Sequence, residues 1–452
     1  MKTFSLRWLW LGLFPLMLGA ETPLSLDQAL ELALKQSKGA QLARLKIEEA
    51  AVDVKAAKDL RYPRLDVLGV GGYYLSPFDV YLRRGTLTPL LDTLGTQAGL
   101  GPLSPQIGPL PSQDYLLYRG GRQQLIGTAT LLQPLTQQWR IESGLAAARR
   151  SADVARYGQS DIELQIRRGV EELFAALLWE SKKELSHQAK LQAQEARLRD
   201  AENAQKVGEA LDDAVLGLRA ELTETKTELT RSAQQRARFS LQLADLIGRS
   251  GEERLEIVPT LPLRETHPLD YWLSRVEENL QHRTAATVAE KAKIGVRAAR
   301  QAQIPDVSAF VSGFVQDGQQ ILPSRGGMAG VLVNWEIFDG GQRSAEIRRS
   351  WVRQREAEVA RDRTREEVVR EIRLAYQDFQ HAEELCGLAE QAQAYRRRAA
   401  ELARQSVSND LALPSKALFA EADLKKAEAD LVGAQLQRHI ALVKLYALTG
   451  RL

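Results

Sequence analysis

The side chains able to carry chemistry are few and scattered. Five histidines, His187, His267, His282, His381 and His439, contain no pair at the His-x-x-x-His spacing that sets two imidazoles on one helical turn. None lies near the only cysteine, Cys386, which has no partner for a disulfide within the chain and reads as a small buried residue of a helical run. Gly69-Val70-Gly71-Gly72 lacks the Lys-Ser/Thr of a phosphate-cradling loop and falls in a strand-like alternation. No serine stands in a Gly-x-Ser-x-Gly setting. The chain therefore reads as a non-enzyme with no catalytic constellation, no cofactor and no metal.

The elements around these residues are unusual. Val331, Val333, Trp335 and Ile337 alternate with Leu332, Asn334 and Glu336, the period of a half-buried strand. Phe338-Asp339-Gly340-Gly341 breaks the alternation and marks a strand-to-helix corner. From Gln342 to about Val407 there is no proline, and Val368, Ile372, Ala375, Tyr376 and Phe379 recur at helical spacing. A strand thus turns into a helix of roughly 65 residues, about 100 Å at 1.5 Å per residue.

The same plan occurs twice. Lys2 and Arg7, the apolar run Trp8–Leu18 and the small residues before Glu21 predict a cleaved export signal over residues 1–20, and no cysteine follows to take a lipid. The first repeat, 21–248, reads as a helix from Leu24 to Leu60 ended at Tyr62-Pro63, a strand from Arg64 to Tyr74 and a proline- and glycine-rich loop over 77–121. A second strand, Arg122–Thr136, leads into a helical hairpin turning at Val207–Asp213. A connector, 249–267, holds Pro259 and Pro262. The second repeat, 268–452, predicts a helix Leu269–Ala302, strands Asp306–Gln316 and Met328–Ile337 around a short loop, and a hairpin turning at Ser408–Pro414. Tyr62-Pro63 matches Ile304-Pro305, Val170 and Phe174 match Ile372 and Tyr376, and Ala220-Glu221 matches Ala420-Glu421. Prolines are absent between Pro134 and Pro259 and between Pro323 and Pro414, where the helices must run.

Charge excludes one large class. With 61 Lys+Arg against 58 Asp+Glu the formal balance is +3, and losing Lys2 and Arg7 lowers it to +1. A nucleic-acid binder carries a marked positive excess, so that role is set aside. After the signal, no stretch approaches the ~20 apolar residues of a membrane helix. Four strands are also too few to close a barrel, for which about eight are needed; several subunits must contribute to one. Tyr73, Tyr74, Phe78, Tyr115, Tyr118, Trp335 and Phe338 stand near strand ends, as a membrane aromatic girdle requires. Acid-first pairs such as Glu163–Arg167, Glu195–Arg199, Glu366–Arg370 and Glu421–Lys425 suit long solvated helices, and the abundant alanines let neighbouring helices approach closely.

Signal, helix, Tyr-Pro, strand pair and long hairpin, repeated with Phe338-Asp339-Gly340-Gly341 and ending on Leu448-Thr449-Gly450, resemble the TolC-type outer-membrane channel family over essentially the whole mature chain. The resemblance implies a mainly α fold with a transmembrane β portion. Long hairpins would form an α-barrel, and three chains would each give four strands to a twelve-stranded β-barrel. It further implies a homotrimer in outer-membrane lipid with helices reaching into the periplasm. Such a duct works passively with a periplasmic adaptor (membrane fusion) protein and an inner-membrane pump or ABC exporter, exporting drugs, metals or proteins. In that family the hairpin tips gate the pore, which points here to Glu209, Asp212, Asp213 and Asp410; Pro414, Ser415 and Lys416 depart from the acidic pattern. Two other readings stand beside it. A periplasmic adaptor would have one hairpin flanked by compact β domains, and a structural coiled-coil protein of the envelope would not need alternating strands.

Overall fold

A computed structural model describes residues 23–76, 79–209, 211–249, 255–258, 262, 264–318 and 323–451. The expected signal, 1–20, and Phe78 lie outside them. Helix α1 (Leu26–Gln36) starts at a capping box in which the Ser25 hydroxyl accepts from the Gln28 amide and the Gln28 side chain accepts in return from the Ser25 amide. The chain continues through α2 (Lys38–Asp59), β1 (Arg64–Tyr73), β2 (Val80–Leu82), α3 (Thr88–Gln97), α4 (Ser104–Ile107), β3 (Tyr115–Tyr118), β4 (Gln123–Pro134), α5 (Gln138–Lys206) and α6 (Asp212–Leu246). Then come α7 (Leu269–Leu273), α8 (Leu280–Gln301), β5 (Asp306–Asp317), β6 (Arg325–Asn334), α9 (Gln342–Ser408) and α10 (Pro414–Leu448). Among the described residues no helix is long and apolar enough to cross a membrane.

Several elements recur in the two halves at matching lengths. Both α2 and α8 have 22 residues and α8 starts 242 positions later; α6 and α10 both have 35. Two helical hairpins, not one, set the chain apart from the adaptor reading. The expected helices 24–60 and 269–302 are each interrupted, and at equivalent positions. Ser37 is extended and accepts from the Ala40 amide at 3.2 Å; Asn279 is extended and accepts from the His282 amide at 3.0 Å. Each ends one helix and caps the next, because a short polar side chain satisfies amides that a new helix leaves free. Gly248 and Gly450, at φ 73 and 68, close the two hairpins with the left-handed geometry that glycine adopts without strain.

Other expectations shift. Strand β6 lies three residues earlier than the alternation suggested, so Trp335, Glu336 and Ile337 fall outside it. The segment 77–121 is not a bare loop: β2 and β3 pair as a two-stranded sheet and α3 and α4 lie between them. The Asp92 carboxylate accepts from the Ser104 amide and that of Asp114 from the Arg84 amide, each at 2.6 Å. At Gly95 any Cβ would stand 2.5 Å from the Gly101 carbonyl oxygen, so the close turn onto α4 requires glycine. The four acid-first helical pairs do not form as expected; Glu421 bonds instead to Arg404 across the hairpin, and Lys425 pairs with Glu428 at 3.0 Å.

The chain divides into two compact units, each drawing on both repeats. One comprises residues up to 49, 153–287 and 358–452. Its first core gathers Val170, Phe174 and Leu177 of α5, Ala29 and Ala33 of α1, Leu243 and Ile247 at the end of α6, and Leu436 of α10. Its second core gathers Trp272 and Val276 with Val368, Ile372 and Ala375 of α9 and Leu445 of α10. Small residues such as Ala29, Ala33 and Ala375 are fully buried, which lets helix axes approach closely. The other unit, 50–152 and 288–357, carries an antiparallel sheet in the order β1-β4-β5-β6.

Candidate functional site

The sheet register sorts its side chains onto two unlike faces. Leu65, Val67 and Tyr73 of β1 lie opposite Leu131, Ala129 and Gln123 of β4; Leu131 in turn meets Val311 of β5, which meets Ala329 of β6. With Val307, Ala309, Val331 and Val333 these make one apolar face, whose charged members, Asp317 and Arg325, sit at the loop end. The opposite face carries Asp66 opposite Thr130, and Thr130 opposite Ser312, the last two sharing a 2.8 Å hydrogen bond. Ser308, Gln316 and Asn334 share that face with Phe310 and Phe314, whose rings cover Gly330 and Gly326. One face is thus largely apolar up to its loop end, and the other mixes these polar residues with Leu68, Val70, Ile126 and Leu332.

Both edges are open. Every residue of β1 and β6 is exposed on both faces, and among the described residues each strand is hydrogen-bonded on one side only. Unpaired backbone along ten-residue edges is a template for another chain. Of the expected girdle, Tyr73 and Tyr74 stand at the loop end of the sheet, with the Tyr74 hydroxyl donating to Gln124 at 2.5 Å. Trp335 and Phe338 stand at the helix end, 56% and 87% exposed. Tyr115 and Tyr118 belong instead to the small β3 strand of the insertion.

The corner at Phe338, Asp339, Gly340 and Gly341 is built by an acid at a helix start. The Asp339 carboxylate accepts from the Arg343 amide at 2.8 Å and the Gly341 amide at 2.9 Å, and the donated amides hold its pKa below the ordinary carboxylate value. Gly340 and Gly341 have φ of 63 and 91, so the sharp exit from the sheet demands glycine. The first repeat turns the same corner without glycine. There the Thr136 hydroxyl donates to the Pro305 carbonyl at 2.6 Å and accepts from the Val307 amide at 2.8 Å.

The hairpin tips bring the expected acids to α5–α6 and α9–α10. Gly208 ends α5 at φ 78, and the Glu209 amide reaches back to the Ala204 carbonyl at 2.9 Å. Asp212 and Asp213 lie in the first turn of α6 rather than in the connecting turn, where the helix dipole favours negative charge, and Gln205 donates to Asp212 at 2.6 Å. Asp410 is not a companion acid of the same kind. At φ 55 it takes the left-handed position that Gly208 takes in the first tip, with the Leu411 amide bonded to the Ser406 carbonyl at 2.8 Å. Large apolar side chains stand out at both tips: Val207 and Leu211, Leu411 and Leu413. Behind each tip one ion pair clasps the hairpin, Glu202 with Arg219 at 2.9 Å and Arg404 with Glu421; the two pairs occupy equivalent positions with the charges exchanged.

One buried cluster leaves almost no trace in the sequence. Glu171, 1% exposed, accepts from Arg264 at 2.6 Å and lies 2.9 Å from His439 Nε2, while the Arg264 guanidinium covers the Tyr446 ring. The only signal in the sequence was an acid set between the core residues Val170 and Phe174. Among the described residues no group of His, Cys, Asp or Glu could hold a metal ion.

Residues 276–451 match the family of outer membrane efflux proteins (OEP). No curated protein sequence matches the chain. Among solved structures, the outer membrane protein VceC of Vibrio cholerae aligns at TM-score 0.71 and 18% identity, covering 94% of this chain and 96% of that one. The CmeC outer membrane channel of Campylobacter jejuni aligns at 0.73 and 15%, covering 94% and 85%. The open state of the MtrE outer membrane channel of Neisseria gonorrhoeae aligns at 0.68 and 17%, covering 94% and 88%. At these identities the likeness is one of fold, and the fold is that of the TolC-type outer-membrane channels.

Proposed function

We infer that the chain is one protomer of a passive exit duct in the bacterial outer membrane, the outermost piece of a tripartite efflux pump or a type I secretion system. The efflux-family match over the second repeat and the channel fold of the whole chain support this reading. The observation that carries it is the four-stranded sheet with two open edges and two unlike faces. Strands of 10 to 12 residues suit a tilted crossing of the bilayer, for which about 9–11 are needed. The apolar face then meets lipid and the mixed face the lumen. Strand directions alternate from β1 to β6, so β6 of one copy joins β1 of the next in antiparallel fashion. Three copies close twelve strands, an even number as such barrels have.

Cysteines scanned along β1 and β6, in a Cys386→Ala background, test the closure. Oxidation should yield linked dimers and trimers at matching registers, in a heat-modifiable outer-membrane oligomer. Monomer bands throughout the scan would reject the barrel.

The helices would extend this barrel into the periplasm, with the tips at the far end. There the apolar Val207, Leu211, Leu411 and Leu413 offer contact to a periplasmic adaptor, and Glu209, Asp212 and Asp213 form the acidic part of the gate. Acids repeated threefold around a narrow pore attract cations. Replacing those three by alanine should lower cation preference in single-channel recordings; unchanged preference and conductance would remove the acids from the gate. Asp410 serves the turn.

A further inference from the structure

We propose that the cleft between α8 and α9 in the sheet-bearing unit binds the headgroup of an anionic phospholipid of the periplasmic leaflet. The proposal rests on the outer-membrane placement inferred above. The cleft, of about 660 Å³, is lined by Val296 and Arg300 of α8 and by Ser344, Ile347, Arg348 and Trp351 of α9. Its chemistry is that of an anion site with an apolar wall. Most neighbouring arginines are committed: Arg343 to Glu336 at 3.0 Å, Arg349 to Glu346 at 2.5 Å and Arg140 to Asp306 at 3.2 Å. Arg300 and Arg348 are exposed, and among the described residues neither guanidinium has a hydrogen-bond or ion-pair partner. Two unneutralised guanidinium groups facing one cleft match a phosphodiester, which arginine binds with paired donors.

The apolar side fits the other half of a lipid. Trp351 is 56% exposed, and its amphipathic ring suits the level where headgroup meets acyl chain. Val296 is buried and Ile347 half-buried, giving the cleft an apolar floor. Height also agrees. Arg300 stands one residue before the end of α8, close to the start of β5 at Asp306. Arg348 lies six residues into α9, about 9 Å along its axis. Its side chain leans back toward the helix start, and so toward the headgroup layer of about 5–7 Å that borders the hydrocarbon.

The test uses the full-length protein in detergent, stripped of lipid and titrated with phosphatidylglycerol in mixed micelles, bound lipid being counted by native mass spectrometry. An anionic headgroup near a basic residue gives roughly five-fold in affinity, so R300Q/R348Q should weaken retention about thirty-fold and W351A by less. Phosphatidylcholine should bind the wild-type chain weakly. Unchanged phosphatidylglycerol binding by the double variant would overturn the proposal. So would displacement by inorganic phosphate at concentrations matching the lipid, which would assign the cleft to a free anion. The oligomer band of the same samples reads the duct separately: arginine-dependent lipid binding supports the site whichever oligomer carries it, while loss of the trimer counts only against the barrel.

Discussion

Glu171 is a buried carboxylate whose neighbours matter to folding. This carboxylate, far from water, is met on its two oxygens by Arg264 and His439. Glu171→Ala should lower stability by about 3–5 kcal/mol, read as an earlier thermal transition, because it leaves the half-buried Arg264 and the buried His439 without their partner; Glu171→Gln should cost less. The cluster was illegible in the sequence because its partners lie 93 and 268 positions from Glu171. His187 makes a second prediction. Burial lowers its pKa, opposed by Glu228 and Glu180 and aided by Lys183 and Lys190. The unfolded chain therefore takes the proton first as pH falls through the ordinary value of 6.5, and the folded state loses stability below it. His187→Gln should flatten the loss of stability between about pH 7 and 5; an unchanged slope in chemical unfolding would refute that origin.

Among the elements, the sheet makes the sharpest claim. Val311 and Ser312 are adjacent yet point to opposite faces, one apolar and one bonded to Thr130. Val311→Arg should cost about 2–4 kcal/mol of folding into lipid, near the middle of the strand, while Ser312→Arg should be tolerated. Refolding into vesicles monitored by the heat-modifiable band measures both, and equal effects would remove the assignment of faces. The alternation that names these strands was legible in β1 and β6. Which strands pair, and in what register, was not, since β4 meets β5 across some 180 positions. Helix lengths were legible from the missing prolines, but the breaks at Ser37 and Asn279 were not, because apolar spacing resumes on either side of each cap. The insertion's prolines and glycines marked turns correctly and concealed the short elements between them.

At the scale of the molecule, the insertion is the largest departure from the repeat. It connects β1 to β4 at the sheet end opposite the helices, where the second repeat has only the short connection from Asp317 to Arg325. On the proposed orientation it lies outside the cell, and we propose that it narrows the pore mouth. Deleting Thr86–Pro111 should raise single-channel conductance, and an unchanged value would free the insertion of that role. The duplicated plan itself was legible from residue matches 200 to 242 positions apart.

The exchanged clasps behind the tips carry a consequence for symmetry. At the clasp just behind the tip, acid precedes base along the chain in the first hairpin, and base precedes acid in the second. Six tip clasps from three copies would therefore alternate in electrical sense around a ring, lowering a near-sixfold arrangement at the tips to a strictly threefold one. A fused protein built from two first halves would erase that alternation, and an assembly partner able to sense it would lose its bearings.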